Sequence, residues 1–230
     1  MKPIQFAAPS VLAVLEGRKT VARQAVKFRG HWAKFDYPYA SPHPDGGWIF
    51  ADFELTPGVI SQVANPGGGM KCPLGNPGDK MWVRETWGGD NLCGFAYRAD
   101  HPDWKQFEGD GDQPSSSWRP SSNMPQWASR IDLEVLEVRV ERLQSITEED
   151  AIAEGAMFTD YGKHDFSGGV PGATLVQRRG WSMGPTKSHE ECLSDARHAF
   201  ANLWEKTDGK RRPWAQNPWV WRVKFKRVTP

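Results

Sequence analysis

The spacing of apolar residues starts with a short run, Ile4 to Phe6, that suits a first strand. Pro9 and Ser10 then open a helix whose apolar face is Val11, Leu12, Val14 and Leu15, with Gly17 placed to cap its end. Arg18 to Val26 is a basic segment returning to a strand. Lys80 to Trp87 (KMWVRETW) alternates, with Met81, Val83 and Glu85 on one face and Trp82, Arg84 and Thr86 on the other. Ile131 to Leu143 is the clearest strand. Ile131, Leu133 and Val135 share a face before a shift lets Leu136, Val138 and Val140 continue it, which predicts a bulge or bend of the kind that helps close a small barrel. Thr147, with Asp150 three residues on, predicts a capped helix over 148–154 that ends at Gly155. Glu190 to Trp204 reads as an amphipathic helix packing through Cys192, Ala196, Ala199, Phe200 and Leu203. Asn217 to Val228 supplies a closing strand, with Val220, Arg222, Lys224 and Lys226 on one face.

Three stretches interrupt this patterning. Residues 30–70 are rich in Pro, Gly and aromatics and hold one or two short strands, such as Trp48 to Phe53; residues 88–123 are polar, with GDGDQPSSS as their tip; residues 158–187 are rich in Gly. They read as loop insertions in a single domain spanning 1–230. The order of elements predicts an α+β fold, a compact β-barrel flanked by helices.

Composition narrows the class of ligand. With 29 basic and 28 acidic residues, the net charge of +1 argues against bulk electrostatic capture of long nucleic acid. It leaves room for a small nucleoside and for one local basic run, Arg18, Lys19, Arg23, Lys27 and Arg29. Twelve Trp suit a packed core, and indole faces also stack on bases. The three cysteines, Cys72, Cys93 and Cys192, form no CxxC or Cys/His cluster; His189 beside Cys192 is the nearest approach to a ligand pair. No metal and no cofactor are expected. The N-terminal segment has no apolar run suited to a signal peptide or membrane span, so the expectation is a cytoplasmic protein with no membrane partner.

Four segments together resemble the ASCH family, a branch of the PUA-like barrels: LEGRKT at 15–20, GDKMWVRETW at 78–87, EEDAIAEG at 148–155 and WVWRVKFKRV at 219–228. The chain is similar in particular to phage and prophage ASCH proteins, in which the GRKT turn, the WVRETW strand, a WRPS…MP.WASR stretch (here Trp118 to Arg130), ERLQ.I.EEDA.AEG and NPWVW recur. The resemblance implies a PUA-like barrel with a cleft between barrel and helices. Small bacterial members are N4-acetylcytidine amidohydrolases that use a Lys and a Thr after the GRKT turn and a Glu on the later helix. Carried across, the Lys is Lys19 and the Glu is Glu154, while the Thr position holds Ala22.

A Lys, a hydroxyl and a carboxylate suit cleavage of an unreactive amide: an amine accepts the nucleophile's proton and an acid donates one to the departing nitrogen. Without a hydroxyl at 22, the nucleophile is either Thr20, on the same face of an extended segment, or a water activated by Lys19 and Glu154. On spacing alone, Lys19 equally suits a solvated lysine at a helix end, and Glu154 a surface glutamate. Either Glu85 or Arg84 faces inward, to meet a base or to form a structural ion pair with Lys19 or Arg23. Trp87 ends the strand, to stack on a base or pack in the core. The expected activity is removal of the N4-acyl group from cytidine or cytosine derivatives, with a nucleoside or nucleobase as ligand. The alternative is a non-catalytic PUA-like module binding RNA or a modified base, which Ala22 and the basic run favour.

Overall fold

The computed structural model describes residues 1–28, 37, 39–43, 46–51, 69–90, 94–103, 118–165 and 175–228. Most of the 30–70 insertion, the GDGDQPSSS tip, Arg29 and Cys93 lie outside the described residues. The fold is α+β. Its centre is a five-stranded sheet of β1 (Lys2–Gln5), β2 (Val21–Ala25), β5 (Lys80–Arg84), β8 (Asp132–Arg142) and β11 (Trp219–Val228), in the order β1-β5-β8-β11-β2. β1 runs parallel to β5, and the remaining ladders are antiparallel.

Strands β1 and β2 are the opposite edges of this sheet, yet only residues 6–20 join them, eight of them in α1 (Ala8–Leu15). Residues of both edges, Ile4 and Gln5 of β1 and Ala22 to Gln24 of β2, line one cavity, so the sheet curls to bring its edges together. No ladder joins β1 to β2 among the described residues, so the sheet is curled but not closed by hydrogen bonds. Inside the curl, Val11 and Val14 of α1 pack on Met81, Val83, Leu133, Val135, Trp221, Val223 and Phe225. A second apolar cluster lies outside it, between α2 (Glu148–Ala153) and α3 (Ala196–Thr207), where Leu143, Ile146, Ala151, Phe200 and Trp204 meet Val220.

The bulge predicted in β8 is present, and its position corrects the reading of Leu136. Lys224 pairs with Glu137 and Phe225 with Val135, leaving Leu136 as the extra residue, which is exposed. The apolar alternation resumes at Val138 and Val140 because one residue is looped out. Strand Lys80–Trp87 is likewise shorter than its alternation implies. β5 ends at Arg84, and Trp87 opens β6 (Trp87–Asp90), which pairs with β7 (Gly94–Tyr97). The 88–123 stretch thus holds a hairpin rather than loop alone. So does 158–187, where β9 (Met157–Asp165) and β10 (Leu175–Ser182) pair with Phe158 opposite Trp181. A further pair, β3 (Tyr39–Pro42) and β4 (Trp48–Ala51), supplies the strand expected at Trp48. α3 begins at Ala196, not Glu190, because the Asp195 side chain caps it by accepting from the His198 amide at 2.8 Å; Cys192 precedes the helix. No helix among the described residues is long and apolar enough to cross a membrane.

Candidate functional site

The turn after α1 is stitched to the end of α2 by its backbone. Gly17 takes φ +77° and ends the first helix, after which the Lys19 amide donates to the Ala13 carbonyl at 2.9 Å and the Thr20 amide to the Ala153 carbonyl at 2.8 Å. From the other side, Thr147 caps α2 by accepting from the Asp150 amide at 3.1 Å, and Glu154 forms the C-cap before Gly155 turns away at φ +106°. Two residues 135 apart in sequence are thereby brought into contact. The Lys19 ammonium forms an ion pair with Glu154 Oε2 and also donates to the Glu154 main-chain carbonyl at 2.9 Å. Lys19 is 5 % exposed and Glu154 2 %, so the pair sits out of bulk water, where a lone charge is costly.

Further ion pairs hold the carboxylate from behind. Arg23, with its side chain wholly buried, places Nη1 3.1 Å from Glu154 Oε1, Nη2 2.7 Å from Asp150 Oδ2 and Nε 2.9 Å from Glu141 Oε1. Arg222 reaches the other oxygen of Asp150 at 2.8 Å. Three cations, Lys19, Arg23 and Arg222, thus meet three carboxylates, Glu154, Asp150 and Glu141. Burial alone would lower the Arg23 pKa, but Glu154, Glu141 and Asp150 outweigh it and raise it. Burial would raise the Asp150 carboxyl, but its bond to Arg222 and the charges of Arg23 and Arg222 prevail and hold it below the usual carboxylate value.

Lys19 and Glu154 line a cavity of about 370 Å³ between the two edges of the sheet, a volume suited to a small organic ligand. Phe6, Phe200 and Trp204 supply aromatic surface, and the Lys19 ammonium lies 5.3 Å from the Phe6 ring centre. Two polar atoms that belong to cavity-lining residues are buried with no hydrogen-bond partner among the described residues: Oε1 of Gln24 on β2 and Nε of Arg84 on β5. A buried donor and a buried acceptor left unmade are costly in an empty fold, and a polar ligand that paired with both would relieve the cost.

Of the residues singled out in the sequence, Lys19, Glu154, Ala22, Arg23 and Arg84 converge on this cavity. Thr20 is not in its lining; its main-chain groups tie it to Ala153 and to Phe225. Glu85 does face inward, but its partner is Arg130, at 2.8 and 3.0 Å, rather than Lys19 or Arg23. Arg130 extends to Asp100 at 2.6 Å. Burial raises the Glu85 carboxyl pKa against the pull of Arg130. Trp87 is also elsewhere, packed against Phe95 and Trp127 with Arg119 over its ring at 4.8 Å. Gln24, Asp150, Glu141, Trp204 and the buried hydroxyl of Ser10 on α1 were given no site role from the sequence; Asp150 and Glu141 lie within the quoted EEDAIAEG and ERLQ segments, but only the fold brings them to Arg23. Among the described residues, no group of three or more His, Cys, Asp or Glu is arranged to hold a metal ion.

Comparison of the chain with protein-family models, with characterised proteins and with solved structures finds no match.

Proposed function

We propose that the chain is an amidohydrolase that removes the N4-acyl group of cytidine or a cytosine derivative, built on a PUA-like pseudo-barrel whose open seam is the substrate cavity. The observation that carries this reading is the buried Lys19–Glu154 pair in the wall of that cavity. The unpaired atoms of Gln24 and Arg84 suit the same substrate class. A pyrimidine amide offers a carbonyl to accept from Arg84 Nε and an N–H to donate to Gln24 Oε1.

The reaction adds water across the acyl C–N4 bond, giving a carboxylic acid and the free exocyclic amine. Ala22 supplies no hydroxyl and Thr20 lies outside the lining, so water is the nucleophile in this scheme. Glu154 takes the water's proton as the oxygen bonds to the acyl carbon, while the Lys19 ammonium stabilises the charge that develops on the acyl oxygen. Collapse of the tetrahedral intermediate breaks C–N4, and the proton on Glu154 passes to the departing nitrogen. These roles exchange those expected from the sequence, because Glu154 is ion-paired to both Lys19 and Arg23. Ser10 lines the same cavity, and full turnover by Ser10→Ala separates the water route from attack by that hydroxyl.

Incubation with N4-acetylcytidine, followed by chromatography, tests the reading. Equimolar cytidine and acetate support it; no cytidine at stoichiometric protein overturns it. The alanine at position 22 favours a second reading, a non-catalytic module that holds a modified base, which saturable binding without turnover would select.

A further inference from the structure

The basic run after α1 is divided by the fold. Arg18 pairs with Glu16 and the Gly155 carbonyl, while Lys19 and Arg23 are consumed in the buried ion pairs. Lys27, just beyond β2, is exposed and has no ion pair among the described residues. It lines a second cavity of about 260 Å³ together with Lys71, Gln24, Met70, Pro73 and Trp221. Lys71 is also exposed and without an ion pair among the described residues, and no carboxylate of the described residues lines this cavity. Gln24 lines both cavities, so the two share a wall.

We propose that the second cavity is a phosphate subsite and that the ligand is a nucleotide, its base in the larger cavity and its phosphate between Lys27 and Lys71. Two ammonium groups lining one concavity without a counter-charge repel each other, and a phosphate relieves that repulsion while accepting charge-assisted hydrogen bonds from both. The apolar floor of Trp221, Met70 and Pro73 lowers the local dielectric and strengthens the attraction. Placing the base in the larger cavity rests on the reading given under Proposed function; the anion site stands on its own residues.

Calorimetric titration of the full chain with cytidine, cytidine 5′-monophosphate and inorganic phosphate tests this, using wild type and the Lys27→Gln/Lys71→Gln double variant. Both lysines are exposed, so the variant keeps its fold, and a thermal melt checks that it does. The monophosphate is expected to bind wild type about tenfold more tightly than cytidine at low salt. That advantage should vanish in the double variant and shrink with added salt, with cytidine affinity unchanged. Equal affinity for the two ligands, or an advantage that survives loss of both lysines, overturns the proposal. If inorganic phosphate binds in a lysine-dependent way and neither pyrimidine does, the subsite stands and the base reading falls. A cytidine-containing dinucleotide distinguishes the phosphate's source: tighter binding than the monophosphate marks a phosphodiester, weaker binding a terminal phosphomonoester.

Discussion

Arg23 Nη1 lies 3.1 Å from the one oxygen of Glu154 that Lys19 does not hold. The carboxylate is therefore gripped at both oxygens by separate cations. Arg23 is in turn fixed by Glu141 and Asp150, so its guanidinium has no freedom to swing away. In the proposed reaction Arg23 is a positioning residue that holds the Glu154 carboxylate in place, with Lys19 and Glu154 as the reacting groups.

Glu154→Gln leaves the buried Lys19 ammonium without its carboxylate and is expected to lower unfolding free energy by about 3–5 kcal/mol. Lys19→Met should cost less, because Arg23 still pairs with Glu154. The double variant should lose clearly less than the sum of the two, because neither charge is left alone. Urea unfolding of the four proteins in a double-mutant cycle measures this; additive losses would mean the pair is not coupled.

Gly155 is the hinge on which the contact turns. A Cβ there would lie 2.8 Å from the Ala13 Cβ and 3.4 Å from the Lys19 Cβ, on a backbone at φ +106° that L side chains rarely adopt. Gly155→Ala is expected to cost about 1–3 kcal/mol and to reduce turnover by displacing Lys19. Unchanged melting and unchanged turnover would show that the turn relaxes freely.

Asp150 sets a pH dependence. Its folded-state carboxyl titrates below the ordinary value, so its ion pairs contribute stability above the unfolded value of about 3.9, and that contribution is lost as pH falls through the lower folded-state value. Asp150→Asn should therefore destabilise the protein at neutral pH, and the gap to wild type should close in acid. A gap that stays constant from neutral pH down to below about 3 would contradict the account.

Gln24 and Arg84 separate binding from stability. Since Gln24 Oε1 and Arg84 Nε have no partner among the described residues, Gln24→Leu and Arg84→Met remove buried polar atoms at little cost, or with a small gain in melting temperature. Nucleoside affinity should fall in both, by roughly tenfold for each lost hydrogen bond. Retained affinity would place the ligand elsewhere.

Local signals carried much of the fold. The Thr147 cap, the Gly17 stop and the break at Leu136 are each written within a few residues, and each is found in the structure. The meeting of Lys19 with Glu154 was not legible from spacing; it followed from the resemblance of two short segments to a family, and backbone bonds across 133 residues from Thr20 to Ala153 bring it about. Alternation left open which of Glu85 and Arg84 faces inward; Glu85 is buried, and its partner Arg130 lies 45 residues away, about which alternation carries no information. The β9–β10 hairpin escaped because its strands are largely polar and pair mainly with each other, held in part by Phe158 against Trp181 at 5.4 Å. The sequence left Trp87 two fates, stacking on a base or packing in the core, and its place in a buried aromatic cluster is the second.

The most direct measurement compares steady-state hydrolysis of N4-acetylcytidine by wild type and by Glu154→Gln, with folding of the variant verified by circular dichroism. Wild type should release cytidine, and the variant should be slower by about 10²–10⁴-fold, the range of a positioned general base. Equal rates in the two proteins, or no release by wild type, would contradict the role assigned to the buried pair.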